Sequence, residues 1–311
     1  MEDLKSRLQK FLRDFDQLTS HKKPSILFAT KYLNKEQFVS FIQLYQTLIL
    51  KAGGGRRGAP NGAQAIGAEH HLGAADRQDP QIIIGENRVQ DAEEKINYLL
   101  SQSPHLRSQF TFVMIGHLQK NKINKALTIF DEIHSVNSLE LAVALNDRMS
   151  KFCGEPSLLS TPTGIPSTMN PSGGGMNGAS LGGAEKDLGD LSKTASDRTR
   201  ERTKSYPIFL EVNLSGEPSK HGFKPEEIDE AISTIKQYDN LAIKGLLTMP
   251  PATRNPESSR PYFRRLRQLA NKYSLTTNDQ RLKTSMGTSQ DWQIALEEGS
   301  DIIRIGSVVF K

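Results

Sequence analysis

The chain has 311 residues, 36% of them hydrophobic and 24% charged, with a formal net charge of +5 and a single cysteine, Cys153. That length allows one large domain or two small ones, and the lone cysteine excludes an internal disulfide and suits a reducing, cytoplasmic setting. No apolar run nears the roughly 20 residues that cross a bilayer, so no membrane association is expected; the positive residues are scattered, with Lys120, Lys122 and Lys125 the one short cluster, so no nucleic-acid partner is expected either.

Residues 1 to 18 read as an amphipathic helix, and Glu2 and Asp3 within them argue against an acid-poor transit peptide. From there short β-branched runs alternate with amphipathic stretches, the pattern of βα units and a parallel sheet. Strands are predicted at 25 to 30 (SILFAT), 82 to 85, 111 to 116, 132 to 136, 207 to 213, 242 to 249, 282 to 287 and 301 to 306. Helices are predicted between them at 35 to 50, 87 to 100, 119 to 128, 138 to 150, 225 to 237, 257 to 273 and 289 to 298. Two segments differ in composition: 52 to 80 is rich in Gly and Ala, and 154 to 204 in Gly, Ser, Thr and Pro. With few large apolar residues to offset the entropy of ordering, both read as flexible surface insertions. The remainder fits a single (β/α)8 TIM-type barrel spanning 1–311, ahead of a doubly wound sheet. Because each insertion follows a helix and precedes a strand, both are expected on the face opposite a barrel's chemistry.

A barrel gathers its chemistry at the carboxyl ends of its strands, and polar and glycine residues recur there. Lys31 directly follows SILFAT, with Lys35 four residues on as a competing amine. At the other end of the chain, TSMGTSQDW runs from the seventh strand toward a helix. Gly287 is expected to let the backbone approach an anion, and Ser289 to serve as the helix N-cap beside unpaired amides. Arg304, Ile305, Gly306 and Ser307 close the eighth strand with a second glycine turn and hydroxyl. Loops after strands seven and eight are where barrels often bind phosphate, so the two turns together predict a phosphate cradle. Gly85, Glu86 and Asn87 end the second strand, and Gly116 and His117 the third; either pair reads equally well as ordinary capping or loop residues. His and Cys spacing matches no metal motif, and no metal is expected.

Taken in order, ATK (29 to 31), IGENRVQDAEEKI (84 to 96), FVMIGHLQKNKINKAL (112 to 127), VNLSGEPSKHGF (212 to 223), GLLTMPP (245 to 251) and SMGTSQDWQIALEEGSDIIRIGS (285 to 307) resemble the pyridoxal phosphate homeostasis proteins. These are single-domain relatives of the amino-terminal barrel of alanine racemase. The resemblance implies pyridoxal 5'-phosphate as cofactor, held as a Schiff base on Lys31 rather than Lys35. It further implies that Gly287, Ser289, Gly306 and Ser307 hold the phosphate, that Arg304 faces the pyridine nitrogen and that Asn87 lines the pocket. Partial desolvation beside Arg304 would favour the neutral, nucleophilic amine of Lys31. A permanently charged guanidinium at the ring nitrogen makes a poorer electron sink than a carboxylate would. Alanine racemase takes a second acid/base from an added β-domain, whereas this chain stops at Lys311, one residue after Phe310. The expectation is therefore a non-catalytic, monomeric carrier serving vitamin B6 homeostasis, with apo-forms of enzymes that use the cofactor as recipients. A racemase of low activity is the alternative.

Overall fold

A computed structural model describes residues 2–19, 24–53, 82–152, 205–217, 220–275 and 281–311. Both predicted insertions fall almost wholly outside them. Eight strands among the described residues, β1 (Ser25–Ala29), β2 (Ile82–Glu86), β3 (Phe110–Met114), β4 (Glu132–Val136), β5 (Tyr206–Glu211), β6 (Leu241–Leu247), β7 (Lys283–Thr288) and β8 (Ile302–Ile305), pair in chain order into a closed barrel. Every pairing is parallel, and β1 closes the ring against β8 with Leu27 opposite Arg304.

Helices fill the outer layer: α1 (Glu2–Leu18), α2 (Lys35–Gly53), α3 (Val89–Gln102), α4 (Ile123–Ile129), α5 (Leu139–Phe152), α6 (Ile228–Ile235), α7 (Arg260–Leu275), α8 (Trp292–Glu297) and α9 (Ser307–Phe310). α1 packs on this layer through Leu4, Leu8, Phe11 and Phe15, four buried residues at helical spacing, with the Phe11 ring 5.3 Å from Trp292. Several predicted helices begin with a 3-10 turn instead: Lys120–Lys122 leads α4, Pro225–Glu227 leads α6 and Pro256–Ser259 leads α7. Proline at the first position of the last two has no amide to donate, which suits it to a tight first turn. The junctions that carry the predicted insertions, from α2 at Gly53 to β2 at Ile82 and from α5 at Phe152 to β5 at Tyr206, run toward the amino ends of strands.

Inside the barrel, Leu27, Val113, Phe209 and Ile302 form a separate apolar cluster with Ile83 and Ile115 against it. Side chains on a strand alternate, so these residues mark which face of each strand looks inward. Against this layer sits His134, fully buried, its ring centroid 3.8 Å from that of Phe209 and its Nε2 2.8 Å from Glu132.

Burial lowers the pKa of His134 below the ordinary histidine value, with Glu132 opposing the shift. As pH falls through the ordinary value near ~6.5, the unfolded chain takes a proton that the folded chain refuses, so stability is lost on the acid side. The thermal midpoint of the protein should fall between about pH 7.5 and about pH 5.5, more steeply than that of His134→Gln. Equal slopes would place the acid loss at other groups.

Candidate cofactor site

Lys31 stands in the turn that leaves β1, two residues beyond Ala29. Its side chain is exposed, contrary to the expected desolvation beside Arg304, because past the last strand residue only the open rim surrounds it. The Lys31 Nζ lies 5.1 Å from the centroid of the Tyr32 ring, and Lys311 approaches the same ring at 4.5 Å. That ring also abuts Gly306, where an added Cβ would sit 3.2 Å from Tyr32 Cε2 and 3.2 Å from the Ala29 carbonyl. The end of β1 and the turn after β8 are therefore in contact. Lys35, by contrast, belongs to the first turn of α2 and pairs outward with Glu94 of α3 at 3.1 Å.

The two glycine turns meet through one hydroxyl. Ser289 Oγ accepts from the backbone N–H of Gly306 at 3.0 Å and of Val308 at 3.2 Å, so amides from the loop after β8 converge on a side chain from the loop after β7. Ser289 is thus not the N-cap of α8. That position belongs to Asp291, whose Oδ1 turns back to accept from Thr288 N at 2.7 Å and Thr288 Oγ1 at 3.0 Å, so the helix starts three residues later than expected. Gly287 has a further reason to be glycine: its φ is +89°, and a Cβ there would lie 2.4 Å from the Ala295 Cβ, so β7 can turn tightly onto α8 only without a side chain at this position. Ser307 follows Gly306 and opens α9, half-buried at the rim.

Arg304 shares its face with Ile302 and Gly306 and is buried, with 5% of its surface exposed. It donates from Nη1 to Ser285 Oγ at 2.9 Å, and from Nη2 to the Thr248 carbonyl at 2.8 Å and to Met249 Sδ at 2.9 Å. All three partners are neutral, and the thioether is a weak acceptor. Burial pushes the guanidinium pKa down to about 10, opposed by Asp291 and Glu211, so the group stays charged near neutrality. Asn87 follows β2 on the inner face of Ile83 and Gly85, and its Oδ1 is buried without a hydrogen-bond partner. Glu211, at the end of β5, has its carboxyl pushed up by burial and pulled down by Arg304 and His221. With Val212, Asn213, Lys220, His221 and Met249 it lines a cavity of about 230 Å³.

His117 is exposed and stacks on His221, centroids 4.7 Å apart at 19°, with Asn137 Nδ2 3.4 Å from its Nδ1. Glu86, read from sequence as a possible cap, instead points into the protein and accepts from Lys95 Nζ at 2.7 Å. Lys95 itself escaped notice, although it sits beside Ile96 within the apolar stripe Val89, Ala92, Ile96 and Leu99, and that position was the available signal. Ser285, Thr248 and Met249, the partners of Arg304, lay inside quoted motifs without an assigned role. Among the described residues no group of three His, Cys, Asp or Glu side chains is placed to hold a metal, and no helix is long and apolar enough to cross a membrane.

The family model described as alanine racemase, N-terminal domain, matches residues 186–311. A pyridoxal phosphate homeostasis protein of Aquifex aeolicus is 41% identical over 103 residues, which are 33% of this chain and 45% of that protein. A protein of the same name from Vibrio cholerae is 27% identical over 237 residues, covering 75% of this chain and 76% of that one. The solved structure of PipY from Synechococcus elongatus, with pyridoxal phosphate bound, superposes with a TM-score of 0.59 at 20% identity, covering 99% of this chain and 100% of that one. At that identity the likeness to PipY is one of fold.

Gly287→Ala should destabilise the protein by at least about 2 kcal/mol, since it combines a left-handed backbone with a methyl driven into Ala295. Urea unfolding of the two proteins checks this, and an unshifted midpoint would mean that α8 can move aside.

Proposed function

We propose that the chain is a pyridoxal phosphate homeostasis protein built on the alanine racemase-type amino-terminal barrel, and that it binds pyridoxal 5'-phosphate as a Schiff base on Lys31. The observation that carries this reading is the set of underused polar groups around one mouth. A buried guanidinium spends a donor on a thioether, a buried Asn87 oxygen has no partner, and two backbone amides converge on the Ser289 hydroxyl. A cationic donor, an amide and an anion cradle suit a ring nitrogen, a ring substituent and a phosphate respectively. Pyridoxal phosphate bound there would supply an aldehyde that condenses with a primary amine and releases water.

In this assignment Lys31 provides the amine, Arg304 meets the pyridine nitrogen, Asn87 lines the ring, and Gly287, Ser289, Gly306 and Ser307 form the phosphate end. Gly287 contributes by shaping the β7 turn that carries Ser289. Because the amides of Gly306 and Val308 already donate to Ser289 Oγ, a phosphate oxygen joins or replaces that hydroxyl as their acceptor. A guanidinium that keeps its proton near neutrality cannot pass it to the ring, which disfavours carbanion chemistry. The protein then acts as a carrier that sequesters a reactive aldehyde and delivers it to apo-enzymes, as a cytoplasmic monomer, with the barrel as its one folded unit. A racemase of low activity is the second reading, favoured by the family model of the barrel.

Incubation of the pure protein with pyridoxal phosphate should produce an absorbance band near ~420 nm that is lost in Lys31→Ala. Borohydride reduction followed by peptide mapping should mark Lys31 and leave Lys35 unmodified. A colourless protein after incubation, or a label on Lys35, would overturn the assignment. Chiral analysis of alanine and serine after prolonged incubation separates the two readings, since a carrier leaves both enantiopure.

A further inference from the structure

Thr30 follows β1 immediately before Lys31, and every polar atom it has is engaged. Its N–H donates to the Gly85 carbonyl at 3.1 Å, and its carbonyl accepts from Leu33 N at 3.0 Å and from Lys95 Nζ at 2.8 Å. Its hydroxyl donates to Glu86 Oε1, the same oxygen that accepts from Lys95. The three side chains come from three elements, β1's end, β2 and α3, and exposure is 0% for Thr30, 1% for Glu86 and 5% for Lys95. Glu86 Oε2 is buried and makes no hydrogen bond.

Such a cluster is a poor way to gain stability. Taking two charges out of water costs more than their attraction reliably returns, and an orphaned carboxylate oxygen adds to the cost, so an apolar trio of similar volume would hold the layers together at least as well. What an apolar trio cannot do is fix the direction of the main chain at one residue. Here residue 30 is tied at four points, to β2, to α3 and to its own turn at Leu33. The turn carrying Lys31 therefore leaves the barrel along one path. Lys31 keeps a flexible, exposed side chain, so the position of its Cα is what the protein can set before any ligand arrives.

We propose that Thr30, Glu86 and Lys95 are positioning residues that hold the Lys31 turn in the geometry its amine needs to reach the aldehyde. This rests on the reading of Lys31 as the Schiff-base residue. None of the three takes part in the condensation, in which the Lys31 nitrogen bonds to the aldehyde carbon and the aldehyde oxygen leaves as water. Their effect passes entirely through the backbone.

The test compares Thr30→Val, Thr30→Ser and Lys95→Met with the wild-type protein. Two quantities are read: the pyridoxal phosphate concentration that half-saturates the borohydride-trapped product, and hydrogen exchange of the 31–33 amides in cofactor-free protein. Thr30→Val should raise the half-saturating concentration about 10-fold and speed exchange of the Leu33 amide, while Thr30→Ser stays within about twofold of the wild type. Lys95→Met should match or exceed the Thr30→Val effect. If Lys95→Met does not fold, the Thr30 pair decides alone. Trapping on Lys31 that is as efficient in Thr30→Val as in the wild type, or as impaired in Thr30→Ser as in Thr30→Val, overturns the positioning role and leaves the Schiff base standing. No trapping in the wild type defeats the Lys31 reading itself, and with it this inference.

Discussion

Parallel pairing of β1 with β8 closes the sheet, and the rest of the mouth depends on its register. Leu27 lies opposite Arg304, and Phe28 opposite Ile305. Side chains alternate with a period of two, so a slip of one residue would turn Arg304 out into the helix layer. A closed barrel links all of its registers through one stagger, which is why no strand can slip alone. Leu27 from β1, Ile83 and Gly85 from β2, and Ile302 and Arg304 from β8 thus share the inner face through a single geometric condition.

That face changes character along the barrel axis. Leu27, Val113, Phe209 and Ile302 form an apolar plug with His134 stacked on Phe209, and Arg304, Ser285 and Glu211 lie toward the mouth. Arg304 is buried, so its field is poorly screened by water. Its three neutral partners are themselves fixed. Thr248, whose carbonyl accepts from Nη2, donates its own hydroxyl to Val212 O at 2.9 Å, tying β6 to β5 beneath the guanidinium. The arginine is consequently aimed before anything binds, and a better acceptor than a thioether gains from that aim without reorganising it.

The strands were legible because their β-branched runs are short, regularly spaced and bounded by polar turns, and all eight predicted strands overlap observed ones. Helix starts were less legible. TSQ after Gly287 has the composition of a cap, yet Asp291 claims that role by folding back on Thr288, a contact that depends on the shape of the turn and not on its composition. Composition did not reveal the local contacts of Gly287 and Ser289: the glycine is demanded by Ala295, and the serine hydroxyl accepts from amides of the turn after a different strand. Lys31 versus Lys35 could not be separated by spacing alone. In three dimensions Lys35 is drawn to Glu94 of α3, while Lys31 stays exposed in the turn after β1 beside Tyr32. Least legible was the buried pair of Glu86 and Lys95, because each residue type is usually solvated and only a lysine within an apolar stripe hinted otherwise. The composition of 52–80 and 154–204 separates them from the predicted barrel elements in sequence, and both lie almost wholly outside the described residues.

Rigidity is divided unevenly across this mouth, and the division bears on how a carrier can both hold and release. On the proposed reading the anion end is built from backbone amides and a short hydroxyl, all with little freedom to lose when a phosphate arrives. The amine end is a four-carbon side chain on a turn pinned at Thr30, so most of the ordering cost on binding falls on Lys31. On the proposed reading, noncovalent grip resides in the part that is already ordered, and the covalent link is made by the part that is not. Breaking that link returns conformational entropy to one exposed lysine while the cradle keeps its shape, so release need not disturb the barrel. A site with the opposite division, a buried rigid lysine and a loose anion loop, would have to open its core to let the same molecule go.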